Sequence, residues 1–119
     1  MPEGDPLPDN AVVVRCGRPP FLGRPLHTAC DEHPSGYFGF SVQAAVGFTV
    51  EQLASECRNN VVGYMTVGEI RALGYEVRET SGEGRHATVV VPRPWGPGVA
   101  EKLAMLFRPA KNPSPKRRP

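Results

Sequence analysis

The sequence has few cysteines, no long apolar run and little net charge, and each shortage argues against a class of protein. Its three cysteines, Cys16, Cys30 and Cys57, are an odd number without a Cys-x-x-Cys spacing. This pattern argues against a disulfide framework or a zinc site and favours a reducing compartment. The sequence has no charged N-terminal segment followed by an apolar run, and no apolar run approaches membrane-spanning length. We therefore expect a soluble, cytoplasmic protein that does not enter a membrane.

The charged and proline-rich residues are concentrated at the two ends of the chain. The formal net charge is only +2, and five of the 14 lysines and arginines lie in the closing segment RPAKNPSPKRRP. A basic face on the fold itself is therefore not expected, although the tail could hold a nucleic acid by charge. Both ends have too little apolar content to offset their ordering entropy. The sequence predicts a disordered tail over 1–9, one domain over 10–108 and a disordered basic tail over 109–119.

Local patterns predict five strands and three or four short helices. The strands are expected at AVVVR (11–15), YFGFSVQAAV (37–46), VVGYM (61–65), YEVRET (75–80) and HATVVVP (86–92), with SGEG (81–84) as a hairpin turn. Helices are expected over 50–58 and 67–73, each after a capping-box pattern, and from Pro97 onward. A further short helix over 26–33 would end at Pro34. The fold class is α+β: one mixed, mainly antiparallel sheet of about five strands packed by helices.

Arg15 and Ser41 are the first candidates for a binding site. Arg15 follows three valines, so it either emerges into solvent at the end of its strand or is held by partners. In the second case its planar guanidinium is suited to grip a phosphate or pyrophosphate. Tyr37, Gly39 and Ser41 share one face by strand alternation, which forms either a flat platform for a ring or sugar or an ordinary solvated face.

His86 and Thr88 are the second pair of candidates. A period of two places both side chains on the same side of their strand. A histidine beside a hydroxyl can donate to a ribose or phosphate oxygen, or transfer a proton near neutral pH.

Other binding chemistries find little support in the sequence. Neither GDPLPDN nor GRPPFLG has the order of a phosphate-binding glycine loop. A short helix would bring His27, Cys30 and Asp31 to one face, with His33 nearby, but no second ligand pair stands at metal spacing elsewhere. We therefore predict no metal site.

The segments VVVRCG, GFSVQ and HATVVVPRPW, followed by GPGVAEKLAMLF, occur in an order that resembles small bacterial toxins with an ADP-ribosyltransferase-like fold, including cytotoxins of type VI systems. The resemblance implies that NAD is bound, with Arg15 holding its phosphates or nicotinamide ribose. Ser41 would order the nicotinamide pocket and act with His86 in catalysis, and Tyr37 and Thr88 would lie beside the cofactor. The catalytic glutamate expected of a transferase has no clear counterpart. Glu79 and Glu83 are the nearest acids, neither lies in a Glu-x-Glu or Gln-x-Glu pattern, and Glu83 is the candidate for that role.

A second resemblance involves EIRALGYEVRETSGEGRHATVVVP, which is similar to the helix, strand, glycine turn and histidine strand of the HicA family of mRNA-cleaving toxins. It implies that His86 is catalytic in RNA cleavage. The leading interpretation is a small toxin, NAD-dependent and paired with an antitoxin or immunity protein. The alternatives are a HicA-like RNA-cleaving toxin and a non-catalytic interaction module, itself an antitoxin or immunity protein, whose polar strand face is only solvated.

Overall fold

The computed structural model describes residues 6–34, 36–80 and 85–116. These residues form an α+β fold with seven strands and four helices, and every strand pairing among them is antiparallel. The predicted mainly antiparallel α+β class is confirmed. Within the described ranges, no helix is both long enough and apolar enough to cross a membrane.

The β-branched and aromatic runs of the sequence form the central strands of one sheet. The strands are β1 (Val12–Cys16), β2 (Asp31–Glu32), β3 (Phe38–Ala45), β4 (Val61–Thr66), β5 (Glu76–Glu79), β6 (His86–Val90) and β7 (Arg108–Lys111). Their spatial order is β5-β6-β3-β1-β4-β7, and β2 pairs with β3 beside that path. β3 and β6 therefore lie inside the sheet.

The helices begin where the capping residues predicted and end earlier than the apolar periodicity suggested. They are α1 (Leu26–Ala29), α2 (Val50–Ala54), α3 (Val67–Ala72) and α4 (Pro97–Leu106). Thr49 with Gln52 and Thr66 with Glu69 form complete capping boxes. The short helix predicted over 26–33 is wrong in its second half, because Asp31 and Glu32 pair with β3 as a strand.

The sheet is covered unequally on its two faces. One face packs the main core, in which Phe40 is fully buried and stacks on Trp95 with ring centroids 5.8 Å apart. The other face carries a smaller cluster around Val14 and Leu53, where α2 lies over β1. Towards β6, that second face carries the polar side chains of Ser41, Thr88 and His86.

The predicted disordered C-terminal tail is wrong in its first part. Residues 108–111 form β7, which pairs with β4, and Asn112 is buried with its amide nitrogen donating to three backbone carbonyls at the end of α2. At the other end of the chain, Leu7 is buried and its amide donates to Val77 O. These contacts with distant segments of the chain offset the conformational entropy that is lost when the two ends become ordered.

The expectation that the cysteines form no disulfide is also wrong. Cys16, the last residue of β1, is bonded to Cys57 just beyond α2, with their Cα atoms 5.4 Å apart. Cys30 is the free thiol. Because disulfides persist in oxidising compartments, the bond removes the premise from which a reducing cytoplasm was inferred.

Candidate functional site

The candidate site lies on β3, at a gap in the pairing of one edge of that strand. β2 pairs with Phe38 and Gly39, and β1 pairs with residues 43–45. Between these two stretches, the backbone of Ser41 has neither β1 nor β2 as a partner. The gap exists because β2 and β1 approach the same edge of β3 from different parts of the chain.

The Arg15 side chain occupies this gap. Its Nη1 donates to Ser41 O at 2.7 Å and lies 3.5 Å from Ser41 Oγ, and its Nε donates to Leu22 O at 3.2 Å. The guanidinium carbon also lies 5.9 Å from the centroid of the Phe40 ring. Arg15 is therefore a cation held by backbone carbonyls, and no described carboxylate forms an ion pair with it.

Ser41, Thr88 and His86 lie on the same polar part of the sheet, and His86 and Thr88 share a face as strand alternation predicted. Ser41 is directly opposite Thr88 across β3 and β6, and Gln43 is opposite His86. Residues that face each other across antiparallel strands point to the same side of the sheet. A cleft of about 220 Å³ lies over them, lined by Ala29, Asp31, Glu32, His33, Pro34, Gly39, Ser41, His86 and Thr88.

His86 is half-buried in this cleft and has an unusual electrostatic environment. Burial lowers the pKa of its imidazole, the charge of His33 lowers the pKa further, and Glu79 acts in the opposite direction. The neutral imidazole is therefore favoured near neutral pH, so His86 can accept a proton. His33 was considered in the sequence only as a metal-type ligand, and its approach to His86 depends on the pairing of β2 with β3.

A buried hydroxyl pair supports the floor of the cleft. Thr88 is 3% exposed, and its Oγ1 lies 3.1 Å from Oγ1 of Thr80, which is equally buried. The amide of Thr80 also donates to His86 O at 3.1 Å. These bonds fix the end of β5 against the start of β6, and so fix the backbone that carries His86.

The remaining predicted site residues lie outside the cleft or outside the described residues. The Tyr37 ring lies 5.9 Å from the guanidinium carbon of Arg78 and does not line the cleft. Glu83 and the predicted turn over 81–84 fall outside the described residues. Glu79 is fully buried and lies opposite Ala87, whose side chain belongs to the main core. The carboxylates that line the described cleft are those of Asp31 and Glu32.

The residues with metal-type side chains are spread over two separate cavities. His27 lines a second cavity of about 290 Å³ between α1 and α4, whereas Asp31 and His33 line the cleft. Cys30 Sγ donates to Leu26 O at 3.3 Å, and burial raises the pKa of this thiol. In the part of the chain that the structure describes, no three histidines, cysteines or carboxylates are grouped closely enough to hold a metal ion.

Comparison of the chain with protein-family models, with curated proteins and with solved structures finds no match. The function is therefore argued from the geometry of the cleft.

Proposed function

We propose that the chain is a small toxin enzyme that binds NAD in the sheet-face cleft and transfers or hydrolyses its ADP-ribose group. In this proposal Arg15 holds the phosphate side of the cofactor. Ser41 and Thr88 supply hydroxyls to the nicotinamide ribose, and His86 accepts a proton from the attacking group. The antitoxin or immunity protein expected from the sequence would act by covering the cleft.

The position of Arg15 is the observation that carries this proposal. The guanidinium of Arg15 reaches Ser41 through the gap between β1 and β2. Its hydrogen bonds to two backbone carbonyls fix the direction of the side chain. Its positive charge has no described carboxylate partner, so a bound anion would supply the missing counter-charge. Through Ser41, Arg15 adjoins a cleft whose lining includes hydroxyls, two histidines and the carboxylates of Asp31 and Glu32.

The size of the cleft limits which part of the cofactor it can enclose. Its volume of about 220 Å³ lies below the range of about 300–1,000 Å³ usual for small-molecule pockets. In this proposal the cleft therefore encloses the nicotinamide and its ribose, and the rest of the dinucleotide extends past Arg15. Asp31 and Glu32 are the described carboxylates near the reacting ribose, so they join Glu83 as candidates for the transferase acid.

RNA cleavage is the second candidate function, and the proximity of His33 to His86 favours it. Two histidines can share phosphodiester cleavage: a neutral imidazole takes the proton of the ribose 2′-hydroxyl, and an imidazolium gives a proton to the 5′-oxygen that leaves. The bond from the 2′-oxygen to phosphorus forms as the bond from phosphorus to the 5′-oxygen breaks. Arg15 would then stabilise charge on the phosphoryl oxygens.

Two assays of the purified protein distinguish the two candidate functions. Incubation with NAD labelled on its adenylate should release nicotinamide, with or without label on a bacterial acceptor, and Arg15→Lys and His86→Gln should each abolish the release. Incubation with a labelled oligoribonucleotide tests the second candidate through the appearance of cyclic phosphate ends. A folded protein that reacts with neither substrate would refute both enzymatic proposals and favour the interaction module.

A further inference from the structure

The two most exposed large apolar side chains of the described residues lie beside one cavity. Phe21 is 72% exposed and lines the cavity of about 290 Å³ between α1 and α4. Met105 is 66% exposed and follows Glu101, another residue of the cavity wall, by one helical turn, so it continues the same face of α4. Large apolar side chains left in solvent around a concavity are typical of a surface that another molecule covers.

The loop that carries Phe21 is held in place by the residue that follows it. Leu22 has a positive φ of +50°, which is unfavourable for a residue with a bulky side chain, and this side chain is fully buried. Leu22 O accepts the hydrogen bond from Nε of Arg15, and the Leu22 amide donates to Arg18 O at 2.9 Å. Phe21 is therefore presented to solvent by a fixed backbone, which lowers the entropic cost of a contact made through its ring.

The same surface carries charges of both signs. Arg24 immediately precedes Pro25, which forms part of the cavity wall, and Glu101 belongs to the part of the wall that α4 forms. Both charged residues are exposed, and neither takes part in a salt bridge with another described residue. A cation and a carboxylate therefore stand at the border of one apolar surface, and each is available to a partner.

We propose that this surface is the interface of a symmetric dimer, in which Phe21 and Met105 of one copy of the chain cover the cavity of the other copy. In a dimer with twofold symmetry the same patch serves both copies, so the patch must be complementary to itself. This surface meets the requirement, because an exposed ring lies beside a cavity and a cation lies near a carboxylate. Arg24 of each copy then faces Glu101 of the other. The dimer does not depend on the proposed enzyme activity.

Exchange of the two charges tests the symmetry of the interface. Arg24→Glu alone and Glu101→Arg alone should each raise the dissociation constant of the dimer at least about tenfold, because like charges then meet at both contacts. An equimolar mixture of the two variants should form mixed dimers, since each contact then joins a glutamate to an arginine. Sedimentation velocity of each variant and of the mixture measures the fraction of dimer.

Phe21→Ser tests the apolar part of the interface. It should also raise the dissociation constant at least about tenfold, because it removes an aromatic contact from the centre of the patch. The variant should fold normally, since the Phe21 ring is mostly in solvent, and circular dichroism checks this. Val46→Ser is the matched control, because Val46 is an exposed apolar residue after β3 that does not line the cavity, and it should leave the dimer unchanged.

Three results would each overturn the dimer. The first is a wild-type protein that stays monomeric at about 0.1 mM, a concentration that detects even weak association. The second is a mixture of the two charge variants that associates no better than either variant alone. The third is a Val46→Ser protein that dissociates as readily as Phe21→Ser, which would show that the contact does not lie at the cavity.

Discussion

Arg15 donates a 2.7 Å hydrogen bond to the backbone carbonyl of Ser41, so a side chain takes the place of a strand at the gap between β1 and β2. The same relationship links the stability of the sheet to the chemistry of the cleft. The residue that closes the edge of β3 also places a positive charge beside Ser41, which lines the cleft. Substitutions of Arg15 should therefore affect both properties, and the two effects can be measured separately.

Arg15→Ala should lower the free energy of unfolding by about 1–3 kcal/mol, because it leaves the carbonyls of Leu22 and Ser41 without their donors. Arg15→Lys should recover part of this loss, since an ammonium can reach one carbonyl but lacks the planar fork that bridges two. Urea denaturation of the variants measures both effects. Arg18→Ala should stay within about 0.5 kcal/mol of wild type. An Arg15→Ala protein as stable as wild type would show that the gap needs no side chain.

The bond between Cys16 and Cys57 closes a loop with a sequence separation of 41 residues. Its loss, through reduction or through Cys16→Ser with Cys57→Ser, should lower the free energy of unfolding by about 4 kcal/mol on the chain-entropy account. Denaturation of oxidised and reduced protein measures the difference, and mass spectrometry under non-reducing conditions identifies the bonded pair. Cys30→Ser should leave the difference between oxidised and reduced protein unchanged. Equal stability of the oxidised and reduced forms would contradict the prediction.

Local sequence signals predicted much of the fold, and the errors lie where distant segments meet. The capping boxes at Thr49 and Thr66 need only residues three apart, so both helix starts were predicted correctly. β7 was missed because RPAK contains a proline and few apolar residues, and its order comes from pairing with β4. The disulfide was missed for a similar reason, since cysteine count and spacing do not reveal which chain segments lie side by side.

The candidate site was predicted in part. Strand alternation placed His86 with Thr88, and Ser41 on a polar face, but only the register of β3 against β6 shows that these faces coincide. His33 could not be assigned to the site from the sequence, because it reaches the cleft through the pairing of β2 with β3. Arg15 was singled out by its position after three valines, and its hydrogen bonds to Leu22 and Ser41 provide the partners that a partly buried arginine requires.

Gly39→Ala should destabilise the sheet directly under the cleft. A Cβ atom at this position would overlap Val89 O on β6, so the two central strands would have to separate. We expect a loss of about 1–3 kcal/mol in the free energy of unfolding, typical of overpacking in a closely packed interior. Thermal denaturation measures the change, with Gly96→Ala as control, because a Cβ at Gly96 would have no atom within 4 Å. Equal losses in the two variants would show that the close approach of β3 and β6 is unimportant.

The pKa of His86 should rise when His33 is replaced by glutamine, because the charge of His33 is one of the two causes that lower it. Since the folded-state pKa of His86 lies below the unfolded value of about 6.5, the unfolded chain binds the proton first as the pH falls. The stability associated with His86 is therefore present above about pH 6.5 and is lost as the pH falls through and below that value. His86→Gln should remove this part of the pH dependence, measured by urea denaturation between about pH 5 and 8.

NMR titration of the His86 imidazole measures the pKa itself. His27 lies in the separate cavity, so His27→Gln should leave the pKa of His86 unchanged. If His33→Gln leaves the pKa of His86 where it was, the two histidines do not interact, and the argument for their joint action on a phosphodiester fails.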